Sequence, residues 1–430
     1  MQVWTTVIGA SITTSRFSIT SMQVVGEVFA VGTGDCGQLG LGPDTFEKTR
    51  PSRIDWLTDK QITNVFVGGM HNIALSGVTG RLYSWGCNDQ LALGRPTGTG
   101  PNDDEESEPG PVSGLDDEFI IQVACGDSVT AALTKDGRYG KSLVANSALT
   151  IENRGTFRNN QGIFGMKGAE KTWLSVPTPV KGLSNVISIA SGSNHLVAVT
   201  QQGKIYTWGV GEQGQLGRKI VGRYASDSCL TPRAINFRPR KSSAKFIKAF
   251  CGSYHTFVLH ESNALYAFGL NNYGQLGIGQ DAAEMLDEQC THHPELVELP
   301  DEDEVVIAAA GGEHHSLILT ESGKVYAFGR GDSSQTGFTD CKPRFTPEAL
   351  TLPAPAQQID CGSAFSMAIT RDPLDKGNNL VMWGFGEQGQ LANSSEDIPE
   401  PETIELKGRV VITAGGGGQH TTMLLKPRAK

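Results

Sequence analysis

The feature that most limits how this chain can fold is a repeat. Ile205–Arg218 reads IYTWGVGEQGQLGR, and five more stretches are close copies of it. They are Val28–Leu41 (VFAVGTGDCGQLGL), Leu82–Arg95 (LYSWGCNDQLALGR), Leu265–Ile278 (LYAFGLNNYGQLGI), Val325–Phe338 (VYAFGRGDSSQTGF) and Leu380–Asn393 (LVMWGFGEQGQLAN). Each is an alternating apolar strand ending in an aromatic or apolar residue and Gly, then a polar turn, then Leu-Gly or a variant of it. The first glycines are Gly32, Gly86, Gly209, Gly269, Gly329 and Gly384, and a weaker copy around Gly155 brings the number to seven. A second motif alternates with the first: Gly, three residues on a His or its stand-in, then aliphatics. Its anchors are His71, Val129, His195, His255, His315, Phe365 and His420, and a glycine stands three residues before each, from Gly68 to Gly417.

Units of about 50 to 60 residues with two short strand signals each are the mark of a propeller or solenoid, not of several unrelated domains. The chain opens on the aromatic-Gly half at Val28 and closes on the Gly-x-x-His half at Gly417, so one unit is split between the ends. A split unit predicts an all-β, seven-bladed β-propeller closed by pairing of the N- and C-terminal strands, which also shields strand edges that an open array would expose. The predicted organisation is a poorly ordered extension at 1–26, the propeller at 27–426 with an atypical insertion at about 139–154, and a short tail at 427–430.

The formal charge, 36 basic minus 46 acidic residues, is −10, which argues against a surface that grips nucleic acid throughout. Any contact with DNA has to be a local patch, and Arg233–Lys248 (six cations, no acid) is the candidate, readable equally as a solvated loop. No run approaches the roughly 18 apolar residues of a membrane span, so no membrane partner is expected. Of the eight cysteines none forms a C-x-x-C pair, and Cys125, Cys251 and Cys361 share a slot with Val67, Ser191, Gly311 and Gly416. Such a slot asks for a small side chain, not a nucleophile, and the pattern suits a reducing compartment.

The first 26 residues carry one charge, Arg16, and lack both halves of a secretory signal. In the third unit Tyr139–Arg154 (YGKSLVANSALTIENR) stands where the aromatic-Gly strand belongs, without its alternation. It is either a loop insertion, cheap at about 0.6 kcal/mol per doubling of length, or a translated non-coding segment; the missing aromatic favours the second.

No catalytic constellation emerges, so the chain does not read as an enzyme. A histidine position that also accepts Val and Phe is chiefly a packing position. His314 and His315 are adjacent, with no second pair at ligand spacing, so no metal is expected. G-x-G-x-x-G matches such as Gly209–Gly214 lead into a turn and never a helix, so no phosphate cradle or cofactor is implied. Loop length is more telling. The two glycines of each clean copy lie eight residues apart, but Gly155 and Gly165 lie ten apart. The lengthened turn carries Arg158, Asn159, Asn160, Gln161 and Gly162 and reads as a protruding hairpin.

Over Val28–Leu425 the chain resembles the regulator of chromosome condensation family, on GGMHNIAL at Gly68, YSWGCNDQLALGR at Tyr83, CGDSVTAALTKDGR at Cys125, FRNNQGIFG at Phe157, WGVGEQGQLGR at Trp208 and GLNNYGQLG at Gly269. The resemblance implies a seven-bladed propeller and a nuclear, chromatin-bound guanine nucleotide exchange factor for the small GTPase Ran. Phe157–Ile163 would be the wedge pushed toward the nucleotide phosphates. The implied GTPase contacts are Asp35, Asp127, Arg218 and His314, with Asn194 where the family carries an aspartate. Chromatin contacts, to histones or the DNA backbone, are implied for Lys219, Arg223, Arg238, Arg240 and Lys241. The family's basic nuclear-import tail is not visible in the first 26 residues. The competing expectation is a non-exchanging propeller of the same superfamily that acts as a protein-interaction scaffold.

Overall fold

The computed structural model describes residues 24–89, 91–97, 104–135, 148–151, 177–180, 182–220, 229, 231–239, 245–279, 289–371, 377–393 and 396–428. These residues build an all-β propeller. They form seven four-stranded antiparallel sheets, each named here for the anchor residue of its second strand. The innermost strands are Asn64–Val67, Ile120–Cys125, Val186–Ser191, Phe246–Cys251, Val306–Gly311, Ala356–Cys361 and Arg409–Gly416. They touch one another in that order, and the last touches the first. Both sequence motifs become strands: the Gly-x-x-His half gives the second, as in His255–His260, and the aromatic-Gly half gives the third, as in Leu265–Leu270. In the His420 sheet the third strand, Glu27–Thr33, comes from the start of the chain and pairs antiparallel with His420–Pro427 from its end.

Successive sheets are joined by two sets of hydrogen bonds that the repeat writes seven times or nearly so. The first is a circle of backbone bonds at one end of the inner strands. The N–H of Gly69 donates to Gly126, Asp127 to Ser193, Ser193 to Ser253, Ser253 to Gly312, Glu313 to Ser363, Ser363 to Gly417 and Gly418 back to Gly69, over 2.9–3.2 Å. The glycine three residues before each anchor is needed here. A Cβ on Gly68 would stand 2.4 Å from the carbonyl of Gly126, and one on Gly252 would stand 2.1 Å from the ring of His255.

The second set uses the anchor histidines. Nε2 of His71 meets the Thr130 hydroxyl at 2.8 Å, His195 meets Thr256 at 2.8 Å, His255 meets Ser316 at 2.8 Å and His315 meets Ser366 at 2.9 Å. Each hydroxyl gives its own proton to a turn carbonyl of the preceding sheet, as Ser316 does to Gln275 at 2.8 Å. It therefore accepts from the imidazole, which fixes the Nε2–H tautomer. At the closing seam Asn72 takes the same place, its Oδ1 3.0 Å from Nε2 of His420. Two seams lack the brace. Val129 packs in one core cluster with Leu196, the residue standing where other sheets carry the hydroxyl, so both polar partners are lost together. Phe365 replaces the other histidine, and Thr421 there still donates to Gln390 at 2.9 Å.

The aromatic that ends the third strand is the remaining inter-sheet contact. Trp85, Trp208, Phe268, Phe328 and Trp383 are fully buried. The rings of Trp85, Phe268, Phe328 and Trp383 press on the closing turn glycine of the preceding sheet: a Cβ on Gly337 would be 3.0 Å from the indole of Trp383 and one on Gly217 2.9 Å from Phe268. Each such ring removes roughly 150–250 Å² from water.

Structure corrects the reading of the third unit. Ala148–Ile151, inside the stretch that seemed to have lost its strand, pairs with Thr130–Thr134 and places Ile151 opposite Thr130. In the His195 sheet the matching register pairs Trp208 with Leu196, so Ile151 and not the residue before Gly155 holds the place of the strand-end aromatic. Four residues that include Thr and Ile suffice because the preceding strand already offers the ladder. Its outer partner is Thr178–Pro179.

Two outcomes follow from the braces. His255→Ala leaves a cavity and an undonated hydroxyl and is expected to cost about 2–4 kcal/mol. His255→Phe, the swap already present at Phe365, should cost less than half of that in urea unfolding. Burial holds the imidazole of His71 down to about 4 and those of His195, His255, His315 and His420 down to about 3. These rings are neutral when folded, while the unfolded chain takes up protons below about pH 6.5. Stability is therefore complete above pH 6.5 and falls as pH drops from there toward 3–4. Calorimetry at pH 5 in buffers of different ionisation enthalpy should register uptake of several protons on unfolding, and fewer for His255→Phe.

Candidate protein-binding face

The hydrogen-bonded circle lies on the same end of the molecule as the polar turns. The residue after each strand-end glycine donates to the residue just before the anchor: Cys87 to Met70, Val210 to Asn194, Leu270 to Tyr254, Arg330 to His314 and Thr33 to Gln419. The strand-end glycine must be bare for this approach. Gly329 has φ +100°, and a Cβ there would lie 2.5 Å from the carbonyl of His314. Five of the described turns are then shut by their own glutamine, whose Oε1 accepts the N–H two residues earlier, as Gln38 does from Cys36 at 2.8 Å and Gln215 from Gln213 at 2.9 Å, while in the Gly86 turn, where Ala92 stands in that place, Asn88 Oδ1 accepts from Leu93.

Because backbone and glutamine hold the turns, the residue three places after the strand-end glycine is free to face solvent. It is Asp35, Asp89, Glu212, Asp332 or Glu387, all exposed, with Asn272 the one exception among the described turns. Two more acids, Asp127 and Glu313, stand on the inner circle. Against these carboxylates stand Arg330, already paired with Asp332 at 2.7 Å, and exposed Lys219 and Lys342 beside the turns. The face is therefore an acidic disc.

At its centre the glycine circle surrounds a cavity of about 130 Å³, walled by backbone, serines, Cys125, Cys251, Cys361, Asp127 and Asp360. Burial raises the Cys125 and Cys251 thiols to about 12, which leaves them protonated and unreactive. None of the eight cysteines is bridged. Burial also lifts the Asp360 carboxyl to about 6, opposed by the N–H of Gly416, which donates to its Oδ2 at 3.0 Å. Crowding at the cavity mouth raises Asp127 as well, with the Ser193 hydroxyl opposing and the Glu313 charge adding to the rise. Among the described residues no group of three or more His, Cys, Asp or Glu side chains could hold a metal, and no helix is long and apolar enough to cross a membrane.

Of the predicted contact residues, Asp127, Asn194 and His314 come together on the inner circle, with Asp35 on the surrounding turns. Asn194 is 7% exposed, so it offers the surface little beyond its edge. Arg218 sits deeper than expected. Its Nη2 donates to the Thr207 carbonyl at 3.3 Å, in the slot where Arg95 donates to the Ser84 carbonyl at 3.3 Å, a structural use of the residue after Leu-Gly. Arg158, Asn159, Asn160, Gln161 and Gly162 lie outside the described residues, as do Arg223, Arg240 and Lys241, while Lys219 and Arg238 are exposed.

Sequence reasoning missed the aromatic surround of His314. Its ring lies 5.9 Å from that of Tyr254 and 5.2 Å edge-on from that of Tyr273, and Arg330 covers Tyr273 at 5.1 Å. Burial lowers the pKa of His314 despite Glu313, whose carboxylate is 3.7 Å from Nε2. The signal was available: the column just before the anchor reads Met70, Ser128, Asn194, Tyr254, His314, Ala364 and Gln419. A position with no shared chemistry beside one that is nearly constant belongs to the surface. Met70, 45% exposed, is the other apolar group it presents.

Known proteins place this architecture. The RCC1-like domain family model matches residues 27–423. The mouse "Regulator of chromosome condensation" is 34% identical, covering 94% of this chain and 92% of its own. "Guanine nucleotide exchange factor SRM1" of Saccharomyces cerevisiae is 30% identical over 91% of this chain and 86% of its own. The crystal structure of Prp20p from Saccharomyces cerevisiae, described with its binding properties to Gsp1p and histones, superposes with a TM-score of 0.80 at 29% identity over 95% of this chain and 93% of that one. The repeat, the propeller and the match along nearly its whole length make this chain a member of the RCC1-like domain family.

Proposed function

We propose that this protein is a guanine nucleotide exchange factor for a small GTPase of the Ran type, acting at chromatin in the nucleus. The observation that carries the reading is the acidic disc, held rigid by the glycine circle and centred on Asp127 and His314. Exchange-factor and chromatin-condensation names among relatives that match almost end to end support it. So does Prp20p, characterised for binding to Gsp1p and histones. The seven sheets are taken as blades of one closed ring, which makes the disc a fixed platform rather than a flexible array.

No bond needs to be made or broken on the exchange factor. A partner that binds the nucleotide-free GTPase better than the loaded form weakens nucleotide binding by the same factor, because the two affinities are linked. Each tenfold faster release requires about 1.4 kcal/mol of differential binding. In this reading Arg158, Asn159, Asn160, Gln161 and Gly162 form the wedge, and Asp35, Asp127, Asn194 and His314 seat a basic GTPase surface, with Arg218 buttressing the turn beneath. The carboxylates speed encounter and orient it. GTP loading follows from the excess of GTP over GDP in cells. Lys219 and Arg238, with Arg223, Arg240 and Lys241, supply the chromatin contact.

Release of fluorescent GDP from purified Ran tests the reading. The intact chain should accelerate release. Asp127→Ala should lower the second-order rate roughly tenfold, equal to about 1.4 kcal/mol, without lowering the melting temperature. The wild-type rate should also fall steeply between low and physiological salt, as expected for steering by exposed charge. Absence of acceleration by the intact chain would reject exchange and leave a scaffolding role, while an unaffected Asp127→Ala would reject the face.

A further inference from the structure

Two cysteines on the acidic face are explained neither by the packing slot that Cys125, Cys251 and Cys361 share nor by the exchange reading. Cys36 lies in the turn that follows the strand Glu27–Thr33 and is exposed, and Cys87 follows the strand-end glycine of the His71 sheet and is half-buried. The thiol of Cys36 hydrogen-bonds that of Cys87 across the seam between the closing His420 sheet and the His71 sheet.

The repeat shows that this contact belongs to the fold. At two other seams the residue four past a strand-end glycine meets the residue one past the strand-end glycine of the next sheet. Arg330 covers the Tyr273 ring at 5.1 Å, and the Thr33 hydroxyl donates to the Gln388 carbonyl at 3.3 Å. Cys36 and Cys87 hold those same two places. Their turns are also pinned together. Asn72 Nδ2 and Trp85 Nε1, both of the His71 sheet, donate to the Gln38 carbonyl at 2.8 and 3.1 Å, and a Cβ on Gly86 would stand 3.3 Å from the Cα of Gln38. Burial is the chief cause that raises both thiols, Cys87 to about 12, and the Asp89, Asp35 and Glu106 carboxylates add to the rise at Cys36. Both thiols therefore stay protonated near neutral pH, which keeps the pair reduced against weak oxidants.

We propose that Cys36 and Cys87 are a redox pair that a peroxide converts to a reversible disulfide, tying the closing sheet to its neighbour on the acidic face. The exposed Cys36 sulfur attacks one peroxide oxygen, the O–O bond breaks, and the departing hydroxide takes the thiol proton and leaves as water, so that Cys36 becomes a sulfenic acid. The Cys87 sulfur then attacks that sulfur, the S–O bond breaks, and a second water carries away the hydroxyl and the Cys87 proton. Two thiols lose two electrons, and the peroxide is reduced to two waters. The new bond, about 2.05 Å long, is shorter than any thiol hydrogen bond, so it draws the two turns together and moves Asp35 and Asp89. Its effect on exchange rests on the function proposed above; its formation does not.

Peptide mapping tests the pair. The full chain is treated with hydrogen peroxide, the excess is destroyed with catalase, free thiols are blocked, and the protein is digested with trypsin without reductant. Peptides joined through Cys36 and Cys87 are expected, separated by dithiothreitol and absent from Cys36→Ser and from Cys87→Ser. Both variants should release GDP from Ran at the reduced wild-type rate before and after peroxide, whereas the linked wild-type chain should be slower by roughly threefold or more, the scale of a displaced rim charge. No linkage, a Cys36 that stops at sulfinic acid, or linkage to a different cysteine would overturn the pair. An unchanged rate in a fully linked chain would overturn its action on the face. The mapping needs no GTPase, so failure of the exchange reading and failure of the disulfide are read out separately.

Discussion

The joint between neighbouring sheets is what this molecule depends on. A four-stranded sheet of short strands has no core of its own, so each must bury its faces against the next. The joint has three parts: a backbone hydrogen bond through the glycine circle, an imidazole-to-hydroxyl-to-carbonyl relay, and an aromatic ring pressed on the bare Cα of a Leu-Gly glycine. Because the same three parts recur from sheet to sheet, a unit can lose one and persist. The Val129 and Leu196 seam shows how, since an apolar pair replaces both members of the relay and no orphaned hydroxyl remains. At Phe365 only the histidine changed, and there the Thr421 hydroxyl stays satisfied by donating to the Gln390 carbonyl at 2.9 Å.

This division of labour explains why the surface can carry chemistry. Backbone bonds and the turn glutamines satisfy the polar groups of the loops internally, leaving the residue three past the strand-end glycine and the residue before the anchor without structural duty. Those two columns hold the exposed carboxylates, Tyr254, His314 and Met70. The same logic separates Arg218 from its neighbours. A guanidinium that donates to the strand carbonyl below it is tied to the turn it follows, and its contribution to a partner would come through the shape of that turn.

Much of the architecture was legible in the sequence because it is repeated: bare glycines, a buried histidine and a strand-end aromatic each arise from one steric or hydrogen-bonding demand met several times. What could not be read is what the repeat does not fix. The third strand of the Val129 sheet was hidden because its aromatic is absent, and Ala148–Ile151 is recognised only through the register it adopts against Thr130–Thr134. The stacking of Tyr254 and Tyr273 on His314 joins two sheets whose relevant residues lie in different motifs, so spacing along the chain gave no hint of it.

The two ends of the blades thus differ in kind. On the circle side five of the six described turns carry an acid at the same repeat position, an arrangement suited to a broad basic protein surface that approaches along the axis. On the other side, at the hairpins between the second and third strands, exposed cations such as Arg81, Lys204, Lys245, Lys324 and Arg371 are spread over several sheets. A set of similar sheets can carry such unlike surfaces because the joints use backbone and buried groups almost exclusively. Changing an exposed residue at either end therefore alters recognition with little effect on the joints between sheets, whereas a change at a buried anchor is felt by both faces.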